Sequence, residues 1–423
     1  MNEKIVLIIA YYFPPMGLSG VQRVVKFVKY LPEFGWKPLI LTDTPSSFYA
    51  FDDTLFMDLK NPEIEIFRTS GKKAETEERK PKTVRLPSYA VQKLGRSFLQ
   101  FFYQPDSKIN WKDKALTVGK RLLSKYKVDV ILATAPPYTD FLIANELSKE
   151  FDIPFIVDYR DPWIDNPFHF YATPFHKSYS IGLEREILTH ANKAIVVSRG
   201  IKEQLVQRYG FISHNDITII SHGYDPDDFS QLSHIKPSPY KFTITHSGVF
   251  QDNRTPKYFL KALASFMDKN PNARNEIEAR FVGVMRKSHQ RLVKRYGLTN
   301  NVIMTGYVSH LENVKHLLES DVLWLMQKDT ARTPGKLYEY FGAAKPLLAS
   351  LPEGILKKQA LETNAAIATA PDDIAAIEKA IGTFYQLWKN NNLPKPKAEF
   401  IRQFDRRNLT AELARELELA REI

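Results

Sequence analysis

Three short stretches hold residue types whose spacing could do chemistry. The first is Thr333-Pro334-Gly335-Lys336-Leu337-Tyr338-Glu339-Tyr340-Phe341-Gly342. Thr333 reads as a helix cap, Pro334 suits a first helical turn, and Gly335 leaves its amide uncovered. Such a helix start cradles anions, and Lys336 adds a full charge to the helix dipole. Glu339, one turn further in, is placed to accept hydrogen bonds from sugar hydroxyls, unless it and Lys336 simply share a solvated face. The second stretch runs from His246 to Pro256, a strand, a loop containing Gly248, and a helix start. Arg254 there either clamps a phosphate in bidentate fashion or is a surface residue beside a cap. The third is YYFPPMGLSGVQR at residues 11–23. Ser19 can cap a helix from Gly20 to about residue 31, ended by Pro32 and Gly35. Gly17 and Gly20 would let a ligand approach the backbone at the positive end of that helix, or form a plain tight turn. The stretch lacks the dinucleotide fingerprint G-x-G-x-x-G.

These stretches need a scaffold, and the apolar pattern supplies one. Short Val- and Ile-rich runs at 5–10, 38–42, 64–68, 128–133, 155–158, 194–197 and 217–220 read as strands. A second series lies at 242–246, 279–284, 302–305, 322–326 and 346–350. Continuous rather than alternating apolar strands, separated by helix-length amphipathic stretches, mark parallel sheets covered on both faces. The expected fold is α/β, with two doubly wound parallel-sheet (Rossmann-like) domains. The expected division is an N-terminal domain at 1–235 with a basic insertion at about 68–127, and a C-terminal domain at 236–395. A last helix at 396–423 is expected to return to the N-terminal domain. The boundary is drawn in SQLSHIKPSPY at 230–240, which is polar, Pro-bearing and unpatterned.

Composition narrows the function. The chain has 423 residues, 43% apolar and 25% charged, as folded soluble proteins do. It contains no Cys, which excludes disulfides, thiolate nucleophiles and Cys-zinc sites and fits a reducing compartment. No apolar run approaches the ~20 residues of a membrane-spanning helix. The ten His residues show no metal-ligand spacing, and there is no P-loop and no G-x-S-x-G elbow. The formal charge of +11 is local: residues 68–127 hold 16 Lys+Arg against 5 Asp+Glu, and the remainder is neutral. Phe98, Phe101 and Phe102 follow Val91 and Leu94 at helical spacing within that region, with Lys93 and Arg96 interspersed. A basic, aromatic patch on a neutral body suits an anionic membrane surface, or else packs on its own domain. No nucleic-acid-binding motif accompanies the charge, so no nucleic acid partner is expected.

Together the stretches resemble family 4 retaining glycosyltransferases of the GT-B fold, in particular bacterial members that build envelope polysaccharides or glycolipids. The likeness runs nearly the whole length, through YYFPPMGLSGVQR, IPFIVDYRDPW, VVSRGIKEQL, HGYDPDDF, HSGVFQDNRTP, VIMTGYVSH and PGKLYEYFGAAKPLLA. It implies transfer of a sugar from a nucleoside diphosphate sugar to the hydroxyl of a glycan or lipid-linked acceptor. It implies no metal and no other cofactor, and a cytoplasmic enzyme peripheral to the inner face of the plasma membrane. The two domains would face a central cleft. Gly17 and Gly20 would approach the donor diphosphate. Arg254, with the Gly248 loop, and Gly335, Lys336 and Leu337 at the helix start would hold it. Glu339 matches the second acid of the family's paired-glutamate motif, and Asp161 and Trp163 would line the acceptor side. Two positions depart from the pattern. Ala331 stands where the first acid of that pair belongs, and Phe141 stands where related sequences carry a histidine. Asp140 beside it either substitutes as a catalytic group or is a first-turn helix acid. These departures define the alternative, a sugar-nucleotide-binding or assembly subunit that has lost catalysis. Asp225-Pro226-Asp227 spells a metal-binding D-x-D, but within HGYDPDDF no metal is expected.

Overall fold

Five consecutive apolar residues, IVLII after Lys4, have no polar face to offer water, and they form the buried part of strand β1 (Lys4–Ile9) in the interior of a parallel sheet. The computed structural model describes residues 3–17, 19–44, 50–69, 82–83, 101–166, 171, 173–250, 254–330 and 333–422. Ala331, the stripe positions Val91, Leu94 and Phe98, and much of the basic region lie outside them. The chain divides into an N-terminal unit, Met1–Ser221 with Arg406–Ile423, and a C-terminal unit, His222–Asp405.

In the N-terminal unit β2 (Trp36–Thr42), β4 (Glu65–Arg68), β6 (Val130–Ala135), β7 (Phe155–Tyr159), β8 (Lys193–Val196) and β9 (Ile217–Ile219) join β1. Their order is β4-β2-β1-β6-β7-β8-β9, and every pairing is parallel. β3 (Ala50–Phe51) and β5 (Lys82–Thr83) form a separate two-stranded ribbon. All seven strands of the large sheet fall where continuous apolar runs predict them. Ser19 is the first residue of the helix Ser19–Tyr30 rather than its cap. The helix tightens into a 3-10 turn at Leu31–Phe34, and left-handed Gly35 (φ 76°) closes it by donating to the Leu31 and Pro32 carbonyls. Arg23 on this helix is fully buried. It donates to both oxygens of Asp158 and to the Ser221 and Ile220 carbonyls. The terminal helix Arg406–Arg421 places Leu409, Leu413 and Leu417 in this unit's core. Lys4 bonds Glu418 at 2.9 Å and Arg407 pairs with Glu33 at 2.9 Å on its polar side.

In the C-terminal unit β10 (Phe242–Ser247), β11 (Ile277–Val282), β12 (Val302–Gly306), β13 (Val322–Met326), β14 (Leu347–Ser350) and β15 (Ala366–Thr369) form a second all-parallel sheet. Its order, β12-β11-β10-β13-β14-β15, reverses direction between β10 and β13. In doubly wound sheets ligands bind at that switch point, beyond the carboxyl ends of the strands. The units part at Ser221/His222, before the polar 230–240 segment, because Tyr224 and Phe229 already pack into the C-terminal core. Each unit is thus a doubly wound parallel α/β sheet, as the apolar runs predict.

Candidate functional site

At the switch point of the C-terminal sheet β10 ends in His246-Ser247 and turns at Gly248. Gly248 has φ +104°, and a Cβ there would lie 3.0 Å from Lys336 Nζ. Gly283, at the end of β11, has φ +128°, and its Cβ would lie 3.1 Å from the Gly248 carbonyl oxygen. Only glycine combines these backbone angles with such close approach. The loop is thereby pressed onto the start of the helix Lys336–Ala343.

That helix begins two residues later than its sequence suggests. Gly335, not Thr333, occupies the cap position, and no side chain caps it. The first amides therefore keep the polarity that favours an anion. Leu337, Tyr338, Tyr340 and Phe341 anchor the helix in an apolar cluster with Leu323, Leu325, Leu347 and Ala349, which fixes the direction of Lys336 and Glu339. Leu337 is thus a core residue, and its amide donates to the Pro334 carbonyl at 3.2 Å, so it has no hydrogen left for a ligand.

The charges around this loop constrain one another. Burial pushes the half-buried Lys336 ammonium down to about 7; the positive charge of Arg254 adds to the effect and Glu339 opposes it. Burial also holds His246 well below the usual histidine range, with Lys336 and then Arg254 contributing. The neutral imidazole meets the Trp324 carbonyl through Nδ1 at 2.9 Å, which assigns the proton to Nδ1. Nε2 is left to accept from Lys336 Nζ at 3.4 Å. Arg254 reaches Gln327, just past β13, at 3.4 Å, and Gln327 donates to Asp329 at 2.8 Å. Glu339 is 8% exposed and accepts from Asn313 Nδ2 at 3.1 Å. Lys336, Glu339, Arg254, Gly335 and Gly248 are thus gathered at one loop, with two cations and a helix start for an anion and one carboxylate for hydroxyls. His246, Ser247, Asn313 and Gln327 join them without having been singled out in the sequence; only the polarity of His246 and Ser247 inside an apolar strand signals two of them.

The N-terminal unit treats its candidates differently. The Gly17 amide donates to the Ala50 carbonyl at 3.0 Å, so it has no hydrogen left for a phosphate. Gly20 is exposed in the first helical turn, and its carbonyl accepts from Arg160. Asp161 is half-buried after β7. Trp163, 1% exposed, turns inward and stacks on Tyr138 with ring centroids 4.6 Å apart, so its ring cannot line an acceptor surface. Phe141 is fully buried against Tyr159, with ring centroids 4.8 Å apart. Asp140 is also fully buried, in the first turn of the helix Thr139–Phe151. Its Oδ2 accepts from the Tyr11 amide at 2.9 Å, and its Oδ1 has no hydrogen-bond partner among the described residues. Burial raises this carboxyl well above the usual carboxylate range; the Tyr11 bond opposes the rise, Asp106 adds to it and Arg160 opposes it. Asp225 caps the helix Pro226–Ser230 by accepting from the Asp227 amide at 3.0 Å.

Comparison with known proteins follows the same outline. The Glycosyltransferase Family 4 model matches residues 19–228, and the Glycosyl transferases group 1 model matches residues 231–399. A sequence comparison with curated proteins returns no match. Among solved structures, a glycosyltransferase from Rickettsia africae superposes with a TM-score of 0.66 at 15% identity, covering 99% of each chain. HepE from Anabaena, in complex with UDP and glucose, gives 0.67 at 14% identity over 98% of this chain and 100% of that one. A sucrose-phosphate synthase from Thermosynechococcus elongatus gives 0.65 at 14% identity, covering 98% of each. At these identities the likeness is one of fold.

Proposed function

The chain belongs to the family 4 glycosyltransferases of the GT-B fold, and from that premise we propose that it moves a sugar from a nucleoside diphosphate sugar to an acceptor hydroxyl, with retention and without a metal ion or other cofactor. The observation that carries this reading is the convergence of Lys336, Arg254, Glu339 and an uncapped helix start on the Gly248 loop. Sugar transfer requires departure of a diphosphate while positive charge develops at the sugar carbon. Donors already aimed at the leaving group are the main catalytic tool for such a step. Lys336, Arg254 and the amides at Gly335 and Lys336 supply them. Glu339 accepts hydrogen bonds from ribose hydroxyls, and Gly248 lets the diphosphate approach the backbone.

The structures of HepE with UDP and with UDP-glucose make uridine the first base to test. A thermal-shift panel of UDP, GDP, ADP, CDP and their glucose conjugates reads binding directly, since a ligand for the native state raises its melting temperature. Stabilisation by at least one diphosphate, with donor turnover in the presence of acceptor, is the expected result. Stabilisation without turnover or donor hydrolysis would favour the non-catalytic alternative, and no stabilisation by any of them would overturn the reading.

We further propose that the acceptor is a lipid-linked or envelope glycan and that the enzyme works at the anionic inner face of the plasma membrane. Phe101 and Phe102 are 47% and 63% exposed, and Phe101 lies against His176 beside Phe175, which is 85% exposed. Aromatic side chains set in a basic region suit an interfacial contact, where each basic residue contributes about 1 kcal/mol. Among the described residues no helix is long and apolar enough to cross a membrane. Co-sedimentation with anionic but not neutral vesicles is the expected result; equal binding to both, or to neither, removes the membrane from the proposal.

A further inference from the structure

The carboxylate of Glu339 does not stand alone. It lies on the helix Lys336–Ala343, and its Oε2 accepts from Asn313 Nδ2 at 3.1 Å. Asn313 sits on the helix His310–Leu318, which Ser309 caps by accepting from the Glu312 amide at 3.2 Å. Val314 and Leu317 hold that helix in the unit through its apolar face. The Asn313 carbonyl oxygen accepts from Ser247 Oγ at 2.6 Å, and the Ser247 amide donates to the Tyr340 hydroxyl at 2.8 Å. Tyr340 follows Glu339 in the chain, so the bonds close a ring through three elements: the end of β10 and the two helices. An ionised carboxylate only accepts, so the amide nitrogen of Asn313 must face Glu339, and its oxygen must face a donating Ser247 hydroxyl. The orientation of the amide is thereby determined at both ends. Glu339 Oε1 has no hydrogen-bond partner among the described residues.

We propose that Asn313, held by Ser247, is a positioning residue for Glu339: it occupies one oxygen of the carboxylate so that the other is presented to the hydroxyls of the bound nucleotide's ribose. The inference rests on the reading of Glu339 as a ribose ligand given above. Asn313 is half-buried between His310 and His316, beside rather than within the Val314 and Leu317 contact that packs this helix into the unit, and that packing has no use for an amide. A leucine would fill the space, and Glu339 would then turn toward Lys336, whose ammonium lies on the same face one turn earlier. Fixing the carboxylate by a neutral amide rather than by that cation leaves both charges available, Lys336 for phosphate and Glu339 for hydroxyls.

The test uses the full chain and isothermal calorimetry with whichever of UDP, GDP, ADP and CDP binds most tightly, against its 2′,3′-dideoxy counterpart. Bonds between a hydroxyl and a carboxylate predict a tenfold to hundredfold preference of the parent for the ribose form. Asn313→Leu is expected to cut that preference to threefold or less while the dideoxy form binds within about twofold of the parent. Ser247→Ala, which removes only the hydroxyl, reduces the preference by a smaller factor and serves if Asn313→Leu does not fold. Asn313→Leu combined with Glu339→Gln should be no worse than Glu339→Gln alone, as expected of residues that act through one another. A merely structural loss would weaken both nucleotides alike, which overturns the proposal. So does an Asn313→Leu or Ser247→Ala protein that keeps the full ribose preference when Glu339→Gln has lost it. If Glu339→Gln itself keeps the preference, the assignment of Glu339 to the ribose is what fails.

Discussion

On the role proposed for Lys336, nucleotide binding depends on pH in a direction that can be worked out in advance. In the unliganded protein its ammonium titrates at about 7, against an ordinary 10.5, because burial and then Arg254 disfavour the charge. A diphosphate in contact restores the charged form. Full recovery of the ordinary value corresponds to about 5 kcal/mol of coupling between proton and ligand, a ceiling for a half-buried group. The sign follows: binding takes up a proton, so affinity falls as pH rises above 7. If only the ammonium form binds, going from pH 7 to pH 9 weakens the complex about fiftyfold, and uptake at pH 8 is about 0.9 proton per nucleotide. The terminal phosphate titrates near 6 and is already fully ionised in this window. His246 stays neutral there and Arg254 stays charged, so neither adds a competing proton. Calorimetry with the nucleoside diphosphate at pH 8, in two buffers of different ionisation enthalpy, reads the uptake. Lys336→Arg, permanently charged, should take up almost none and bind with nearly constant affinity from pH 7 to 9. Uptake near zero in the parent, or an affinity flat over those two pH steps, would refute the placement of Lys336 on the phosphates.

Three more perturbations follow from the packing. Gly248→Ala forces a side chain into a positive-φ backbone and to 3.0 Å from Lys336 Nζ. It should cost about 1–3 kcal/mol in thermal unfolding and weaken diphosphate binding roughly tenfold. Arg23→Met strands the buried Asp158 carboxylate with Thr134 as its remaining side-chain donor. A loss of about 3–5 kcal/mol is expected, a fall in melting temperature on the order of 10 °C. Asp140→Asn keeps an acceptor for the Tyr11 amide and should retain both stability and turnover, whereas Asp140→Leu orphans that amide at about 1–3 kcal/mol. Because the Asp140 carboxyl is raised in the folded state, it costs stability as pH climbs above its unfolded value near 3.8. Asp140→Asn should therefore gain on the parent with rising pH, and lost turnover in that variant would return Asp140 to the chemistry.

The scaffold was legible wherever burial on both sheet faces left unbroken apolar runs, as in IVLII and VLWLM. β15 was not, because Ala366-Ile367-Ala368-Thr369 is short, small and half-exposed at a sheet edge. The two-residue strands β3 and β5 carry no periodicity at all. Lys336, Glu339 and Arg254 stood out because charges beside a helix start or a glycine loop have few structural uses. Asn313 could not stand out: its partners are 26 and 66 residues away, and only folding brings them together. Trp163 misled for the opposite reason. Its place after a strand end suggests the surface, but the turn at Asp161-Pro162 directs the indole back onto Tyr138.

The return of the terminal helix also sets a timetable for biogenesis. Ribosomes deliver residues in order, at about 5–20 per second. The last strand of the first sheet ends at Ile219, but Leu409, Leu413 and Leu417 belong to the same core. The two stretches are therefore made roughly 10–40 seconds apart at those rates. Within that interval the second sheet, which lies between His222 and Asp405, receives every residue it needs. The first waits with an uncovered apolar face, including the side of the helix Ser19–Tyr30 that the terminal helix covers. The unit made first is thus the unit finished last, and the nascent N-terminal half, rather than the C-terminal half, is where a chaperone would find its client.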